Sequence, residues 1–309
     1  NWILDRMVYE FQKFSRHKIT TNSKVETTLD EAGIDRDTNV FLIAPFVWRQ
    51  IFPNDRHLLK EKKFVLLLHH IVPNKFNLED FLARDEYVNQ YIVPNVHTYN
   101  DIKQYTNKPI TQLGYWINEK DWQATDRQAT RKALGIENKF VIASFQRDTE
   151  GNGCDGDNPQ PKLEKGPQNI IACLLEAQRE INNIHVLLSG WRRQWIIKEL
   201  KKRNIGYTYV ERPALNVINA LYDASDLYIV GATHEGGPQS INETAYKKLP
   251  IISTDCGMAS QILHPNCIFD VANKFYMPNK NDIEHAHNSV LELTIEKQIA
   301  KYDNVLDVA

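Results

Sequence analysis

Two glutamates flank a Gly-Gly-Pro turn in the segment GATHEGGPQSINETAYKKLPIISTDCG, residues 231–257. Glu235 ends a loop after an apolar run, and Glu243 follows eight residues later in the next predicted helix. Gly236 and Gly237 leave backbone N–H groups open at the positive end of that helix, which suits a diphosphate or a sugar hydroxyl. An ionised glutamate accepts hydrogen bonds from a ribose diol. The alternative is that two acids near a helix start merely complement its dipole.

Two cations, Arg147 and Lys165, flank an acidic and glycine-rich stretch, residues 148–163. The stretch matches the start of a calcium loop, but its twelfth position is Pro159 instead of a bidentate glutamate. Asp155-Gly156-Asp157 is similar to a metal-binding DxD step. The composition favours a solvated, mobile loop, and calcium-dependent ordering is the alternative.

These residues have to be positioned by a chain in which short apolar runs alternate with helical stretches. The runs are typical of buried parallel strands and cover residues 39–48, 63–72, 90–95, 109–117, 140–145, 184–190, 207–211, 226–232 and 249–255. The predicted helices cover residues 2–14, 78–87, 99–105, 167–180, 193–203, 216–224, 238–247 and 282–297. Pro238 suits the first position of its helix. Two such alternations predict two α/β units with mostly parallel sheets, whose ligands lie beyond the carboxyl ends of the strands.

The composition narrows the class of protein. The 309 residues have a formal net charge of −2 and no conspicuously basic half, so no nucleic-acid partner is expected. Four cysteines without paired spacing favour free thiols and a cytoplasmic location. No apolar run approaches ~20 residues, and no G-x-G-x-x-G follows a predicted strand, which disfavours a nicotinamide dehydrogenase. The charge run at residues 55–64 predicts a solvated helix face, with weak peripheral contact to acidic lipids as the alternative.

The E-x7-E spacing around Gly-Gly-Pro, followed by NETAYKKLPIISTDCG, resembles the nucleotide-sugar signature of retaining GT-B glycosyltransferases, family 4 (glycosyl transferases group 1). The family also carries an Arg after the first strand of its second domain and a Lys in a Lys-Gly step, matched by Arg147 in SFQR and Lys165 in LEKG. The chain departs from the family at Lys248-Leu249, where Cys-Gly is frequent, and at Cys256-Gly257-Met258, which replaces a Gly pair.

The resemblance implies two Rossmann-like domains with mostly parallel sheets facing an interdomain cleft. Residues 1–118 would be the acceptor-side domain, without its first strand, because the chain begins inside an apparent helix. Residues 119–280 would bind the nucleotide sugar, and residues 281–309 would contain a helix packing back toward the first domain.

The resemblance also implies the roles of individual residues. Arg147 and Lys165 would stabilise the leaving diphosphate, while Glu235 and the Gly236–Gly237 amides orient the sugar, Pro238 starts the helix and Glu243 holds the ribose. Val210 and Glu211 would offer backbone hydrogen bonds to the base. His69, at the end of the run LLLHH, would touch the donor sugar, and a hydrogen-bonded structural histidine explains it as well.

The function implied is metal-independent, retaining transfer of a sugar from a UDP-, GDP- or ADP-sugar to a carbohydrate, a lipid-linked glycan or another hydroxyl acceptor, with no cofactor. Two alternatives stay open at this point. The chain could be a non-catalytic nucleotide-sugar sensor or assembly subunit, or a GT-B-type nucleotide-sugar epimerase.

Overall fold

The computed structural model describes residues 3–19, 39–43, 48, 56–151, 158–270 and 275–308. The chain forms two compact units. Unit 1 comprises Asn1–Trp116 together with Ile295–Ala309, and unit 2 comprises Ile117–Thr294. Unit 1 is therefore built from two separate parts of the chain, and unit 2 is built from one.

The regular elements alternate along both units. The strands are β1 (Val40–Leu42), β2 (Phe64–Leu67), β3 (Gln90–Val93), β4 (Ile110–Gln112), β5 (Phe140–Ser144), β6 (Ile184–Ser189), β7 (Gly206–Val210), β8 (Leu227–Val230) and β9 (Ile251–Ser253). The α-helices are α1 (Ile3–Phe14), α2 (Leu78–Asp85), α3 (Val96–Ile102), α4 (Arg127–Leu134), α5 (Pro167–Glu180), α6 (Gln194–Lys202), α7 (Leu215–Asp223), α8 (Gln239–Tyr246), α9 (Ala259–Ile262), α10 (Lys280–Val290) and α11 (Ile295–Val308). In the described part of the chain, no helix has the length and apolar character needed to cross a membrane.

The sheet of unit 1 is parallel, in the order β1-β2-β3-β4. All four residues of β2 are buried, as expected for a parallel strand covered on both faces. The last helix of the chain belongs to this unit, where Tyr302 of α11 packs edge-on against Trp116, with ring centroids 5.4 Å apart. Phe11 of α1 joins the same aromatic cluster, 6.1 Å from Tyr302. The two parts of unit 1 thus share one hydrophobic core.

The sheet of unit 2 is also parallel, in the order β7-β6-β5-β8-β9. β5 pairs with β6 on one side and with β8 on the other. The chain therefore adds β6 and β7 on one side of β5 and then β8 and β9 on the other side. This is the arrangement of a doubly wound α/β sheet, in which ligands bind at the carboxyl ends where the direction of winding reverses. The carboxyl ends of β5 and β8 therefore mark the place for a site.

The predicted helix over residues 282–297 is wrong as a single element. An Asn279–Asp282 capping box starts α10 at Lys280, and a short 3₁₀ helix, Leu291–Leu293, follows it. Thr294 then adopts an extended conformation, with φ −57° and ψ 149°, and separates α10 in unit 2 from α11 in unit 1. Residues 2, 44–47 and 49–50, which the predictions place in the first helix and near the first strand, lie outside the described residues.

Candidate functional site

The candidate site lies at the carboxyl edge of the unit 2 sheet. Residues 145–147 leave the end of β5, and residues 231–238 leave the end of the neighbouring strand β8. A third segment, the 3₁₀ helix Leu163–Lys165, precedes α5. These three segments carry the residues predicted to hold a diphosphate and its sugar.

Two glycines press the segment before α5 against the end of β8. A β-carbon on Gly166 would lie 1.8 Å from the carbonyl oxygen of Gly231, and a β-carbon on Gly231 would lie 2.7 Å from that of Gly166. Gly166 also has φ +53°, in the left-handed region that favours glycine. The side-chain amide of Asn169 donates to the Gly231 carbonyl at 2.8 Å, and the N–H of Thr233 donates to Glu164 O at 2.9 Å. The two segments are therefore locked together.

This contact brings together two of the predicted catalytic residues. The Lys165 ammonium forms a salt bridge with Oε1 of Glu235, although the two residues are 70 positions apart in sequence. Their side chains are 20% and 16% exposed, so solvent reaches both. Gln146, which follows β5, donates from Nε2 to the Lys165 carbonyl at 2.6 Å. Gln146 was not singled out from sequence, because a single Gln after a strand carries no recognisable signal.

The turn before α8 is closely packed. Both Gly236 and Gly237 are buried, and α8 begins at Gln239, so Pro238 occupies the N-cap position instead of the predicted first turn position. Gly257, in the loop after β9, packs on this turn, since a β-carbon there would lie 2.9 Å from the nitrogen of Gly237.

Burial, with the charge of Glu235 adding to it, raises the pKa of the Cys256 thiol, next to Gly257, to about 12. The thiol is therefore neutral at neutral pH.

Glu243 lies in α8 with 7% of its surface exposed. The hydroxyl of Tyr222, in α7, donates to its Oε2 at 2.7 Å. Burial, with the Glu243 carboxylate adding to it, raises the pKa of Tyr222 well above its ordinary value, so the phenol keeps its proton and acts as a donor. Tyr222 lies in α7, and nothing in its position in the sequence signals a partner in another helix.

Arg147 lies against a different neighbour. Its Nε donates to the carbonyl of Thr149 at 3.1 Å, and its guanidinium carbon is 5.6 Å from the ring centroid of Trp191. Its preceding residue, Gln146, is the one that bonds to Lys165. The described contacts thus place Arg147 and Lys165 on adjoining segments, with Lys165 paired to Glu235 and Arg147 packed on an indole.

The start of the acidic segment is buried, which corrects the prediction of a solvated loop for this part of residues 148–163. Asp148 is fully buried and forms an ion pair with Nε of Arg193 at 2.5 Å. Arg193 also donates to the carbonyls of Ser144 and Ser189, at the ends of β5 and β6. Burial raises the pKa of Asp148, and the Arg193 charge opposes that rise. The buried Arg193 side chain therefore connects Asp148 to the ends of β5 and β6.

The contacts of Asp148 do not support a role for it as a ligand of a metal ion. Its carboxylate already accepts hydrogen bonds from Arg193 and Thr149, and residues 152–157, which hold the rest of the calcium-loop pattern and the DxD step, lie outside the described residues. Within the ranges that the structure describes, no group of three or more His, Cys, Asp or Glu residues could hold a metal ion.

The two residues predicted to face a base lie at the end of β7. The carbonyl of Val210 accepts a hydrogen bond from the Ser189 hydroxyl at 3.0 Å, and Glu211 is exposed. Burial, with the charge of Glu211 adding to it, raises the pKa of Tyr209 to about 12, and the Tyr209 hydroxyl donates to Gly190 O at 2.9 Å. Part of the hydrogen-bonding capacity of Val210 is therefore already used.

His69, in unit 1, uses both ring nitrogens within its own unit. Nε2 lies 2.7 Å from the carbonyl of Ile43, and Nδ1 bonds to the hydroxyl of Tyr115. Because a carbonyl can only accept, Nε2 donates to Ile43, while Nδ1 and the Tyr115 hydroxyl share a second hydrogen bond. Asn95 caps α3, and Thr98 donates to His69 O at 3.0 Å, so these two residues support the strand end. The contact of His69 with a donor sugar stays a prediction.

Comparison with known proteins shows similarity at the level of the fold. No protein-family profile matches the sequence, and no curated protein matches it. The chain is similar to HepE from Anabaena solved in complex with UDP, with a TM-score of 0.62, 15% identity, and coverage of 91% of this chain and 88% of that one. It is also similar to sucrose-phosphate synthase from Thermosynechococcus elongatus, with a TM-score of 0.59, 13% identity, and coverage of 80% and 69%. The pneumococcal O-GlcNAc transferase GtfA, in complex with UDP and GlcNAc, gives a TM-score of 0.55, 13% identity, and coverage of 83% and 55%.

These neighbours are GT-B glycosyltransferases, and the likeness, together with two parallel sheets, confirms the predicted α/β, GT-B fold class. Identities of 13–15% establish the fold and leave activity to be argued from the site.

Proposed function

We propose that this chain is a retaining glycosyltransferase that moves a sugar from a nucleoside diphosphate sugar to a hydroxyl acceptor. The observation that carries the proposal is the contact between Lys165 and Glu235, at the point where the unit 2 sheet reverses its winding. In a nucleoside diphosphate sugar, the bond that breaks joins a sugar to a phosphate. A cation and a carboxylate held side by side can bind both groups, because the cation attracts the phosphate and the carboxylate accepts hydrogen bonds from sugar hydroxyls.

The salt bridge positions both groups before a ligand arrives. When a donor binds, the Lys165 ammonium donates a hydrogen bond to a phosphate oxygen, and Glu235 accepts hydrogen bonds from the sugar. Arg147 supplies a second positive charge from the adjoining segment. Since the Gly166–Gly231 contact fixes the backbone segments that carry Lys165 and Glu235, little backbone movement is needed as negative charge builds on the leaving phosphate.

Glu243 and Tyr222 form the proposed ribose end of the site. Tyr222 donates one hydrogen bond to Oε2 of the carboxylate, and a carboxylate accepts several hydrogen bonds at its two oxygens, which is the chemistry that recognises a diol. The buried tyrosine keeps the carboxylate in one orientation. This fits a group that recognises a ligand rather than one that transfers a proton.

For the chemical step we favour front-face displacement. The bond between the anomeric carbon and the diphosphate oxygen breaks, the acceptor oxygen bonds to the same face of that carbon, and the acceptor proton passes to the leaving phosphate. No residue of this chain is required as a nucleophile. Family 4 membership, retention and metal independence belong to this proposal and rest on the E-x7-E and Lys-Gly motifs.

The proposal is tested by removing the Lys165 ammonium. Lys165→Ala should lower turnover about a hundredfold, because losing one group that stabilises the leaving charge costs about 3 kcal/mol of barrier. Because solvent reaches both side chains, the loss of folding free energy should be smaller than this cost in barrier height, and the thermal midpoint measures it. Release of nucleoside diphosphate measures turnover, after a thermal-shift screen against UDP, GDP, ADP and their sugars has identified the donor.

Lys248→Ala is the matched control, because Lys248 forms an ion pair with Glu284 in unit 2, and it precedes β9 at the amino end of the sheet. It should keep wild-type turnover. Turnover of Lys165→Ala equal to that of Lys248→Ala would contradict the proposal. Tight nucleotide-sugar binding without transfer to any acceptor would instead favour the sensor, and release of an epimer without acceptor would favour the epimerase.

A further inference from the structure

Three arginine side chains meet on one tryptophan at the carboxyl edge of the unit 2 sheet. The guanidinium carbons of Arg192, Arg212 and Arg147 lie 3.9, 4.5 and 5.6 Å from the ring centroid of Trp191. Trp191 is 41% exposed, so this cluster, named here the Trp191 cluster, faces solvent.

The cluster is assembled from three neighbouring strand ends. Arg147 follows β5, Trp191 and Arg192 follow β6, and Arg212 follows β7. Adjacent strands are about 4.8 Å apart, so the cluster extends about 10 Å from β5, on the side away from β8 and the Lys165–Glu235 pair. The N–H groups of Asp148 and Thr149 both donate to the Arg192 carbonyl, at 3.2 and 3.1 Å, which joins the loops after β5 and β6.

The three guanidinium groups of the cluster form no salt bridge with the described residues. Over the ranges that the structure describes, no carboxylate lies within salt-bridge distance of these three guanidinium groups, and the one side-chain hydrogen bond among them runs from Arg147 to Thr149 O. Stacking on an indole uses the flat face of a guanidinium and leaves its in-plane N–H donors available. Those donors match the oxygens of a phosphate, sulfate or carboxylate.

Two of the arginines stand where the backbone prefers glycine. Arg192 has φ +59° and Arg212 has φ +48°, in the left-handed region that costs a residue with a β-carbon. Neither side chain makes an ion pair or hydrogen bond within the described residues, so the fold gains from them little beyond the stacking on Trp191. Binding of a ligand therefore explains these two arginines better than stabilisation of the fold does.

We propose that Arg192 and Arg212 of the Trp191 cluster bind an anionic group of a second ligand, such as a phosphate or a carboxylate, beside the donor diphosphate that Arg147 contacts. The word donor rests on the proposed function; the anion site itself does not. A nucleoside diphosphate carries its charge on two adjacent phosphates, and its ribose and base are neutral. Arg192 and Arg212, one and two strands beyond β5, therefore have no charge to meet on the donor.

The experiment is a calorimetric titration of the full chain with inorganic tripolyphosphate at low ionic strength. The protein is first saturated with the nucleoside diphosphate that gives the largest shift in its thermal midpoint. Tripolyphosphate should bind at one site in the presence of the nucleotide. The double variant Arg192→Gln/Arg212→Gln should weaken that binding by about tenfold or more, since two charge-assisted contacts are lost. Arg179→Gln, which alters an exposed arginine paired with Glu176 on α5, should leave the affinity unchanged.

Arg212→Gly separates a binding role from a structural one. It should match or exceed the wild-type thermal midpoint, because glycine suits the left-handed backbone, and it should bind tripolyphosphate more weakly. Tripolyphosphate that competes with the nucleotide would overturn the proposal and assign the cluster to the donor. Unchanged affinity in the double variant would overturn it as well. If no nucleotide binds, the proposed function fails, and the titration of the free chain and its double variant still decides whether the cluster is an anion site.

Discussion

Gly166 and Gly231 show how single residues create the candidate site. Their backbones are so close that neither position has room for a β-carbon, and this approach sets Lys165 beside Glu235. The Lys-Gly step and the E-x7-E spacing made Lys165 and Glu235 predictable as site residues. Their salt bridge was not predictable, because it depends on the distance between two loops that only the folded sheet brings together.

Gly166→Ala should destabilise unit 2 by more than about 3 kcal/mol, since the new methyl group would overlap the Gly231 carbonyl and the left-handed backbone would be strained. Gly135→Ala is the control, because Gly135 has a similar φ of +66° and a β-carbon there would meet nothing within 4 Å. It should cost about 1 kcal/mol. Denaturant unfolding measures both, and equal losses would show that the close approach contributes nothing.

At the scale of elements, a buried ion pair connects the loops that follow β5 and β6. Arg193 contacts Asp148 and the carbonyls at the ends of both strands. Strand alternation made both sheets predictable, and α5 has the predicted bounds, Pro167–Glu180. The burial of Asp148 and Arg193 was missed because both lie in charged stretches, and a charged residue is read from sequence as solvated unless its partner, here 45 positions away, is known.

Asp148→Asn should lower the thermal midpoint of unit 2 by about 10 °C, because it leaves the Arg193 charge buried and unpaired, at a cost of about 3–5 kcal/mol. Arg179→Gln provides the comparison, since it breaks an exposed pair with Glu176 and should shift the midpoint by less than about 3 °C. Differential scanning calorimetry distinguishes the two. Similar midpoints for both variants would mean that the buried pair does not hold the loops.

At the scale of the whole molecule, unit 1 is completed by a helix that follows unit 2 in the chain. In α11, Gln298 donates to Gly114 O at 2.6 Å, and Asp303 accepts from the Ser15 hydroxyl at 2.6 Å. Tyr302 is fully buried in the aromatic cluster of unit 1. The amphipathic pattern of residues 282–297 did not reveal this division, because the extended Thr294 interrupts an otherwise helical stretch.

A chain ending after Thr294 should lose the unfolding transition of unit 1 and keep that of unit 2. Removal of α11 exposes the core around Phe11 and Trp116, whereas unit 2, Ile117–Thr294, loses no element of its own. Calorimetry of the truncated and full-length chains would show this as one transition instead of two. The variant Tyr302→Ala, which removes one large aromatic side chain from the same core, should weaken unit 1 by about 3–5 kcal/mol and leave unit 2 unchanged. Loss of both transitions on truncation would show that unit 2 is not stable by itself.

The discontinuity of unit 1 has a consequence for biosynthesis. A ribosome adds residues in order, and domains form as units when their sequence has emerged. All of Ile117–Thr294 leaves the exit tunnel before α11 does, so we expect the second unit to acquire its structure first, while residues 1–116 wait for a partner that is still being translated. During that interval the nascent β1–β4 region lacks its closing helix, and it is the part of the polypeptide on which a chaperone would act.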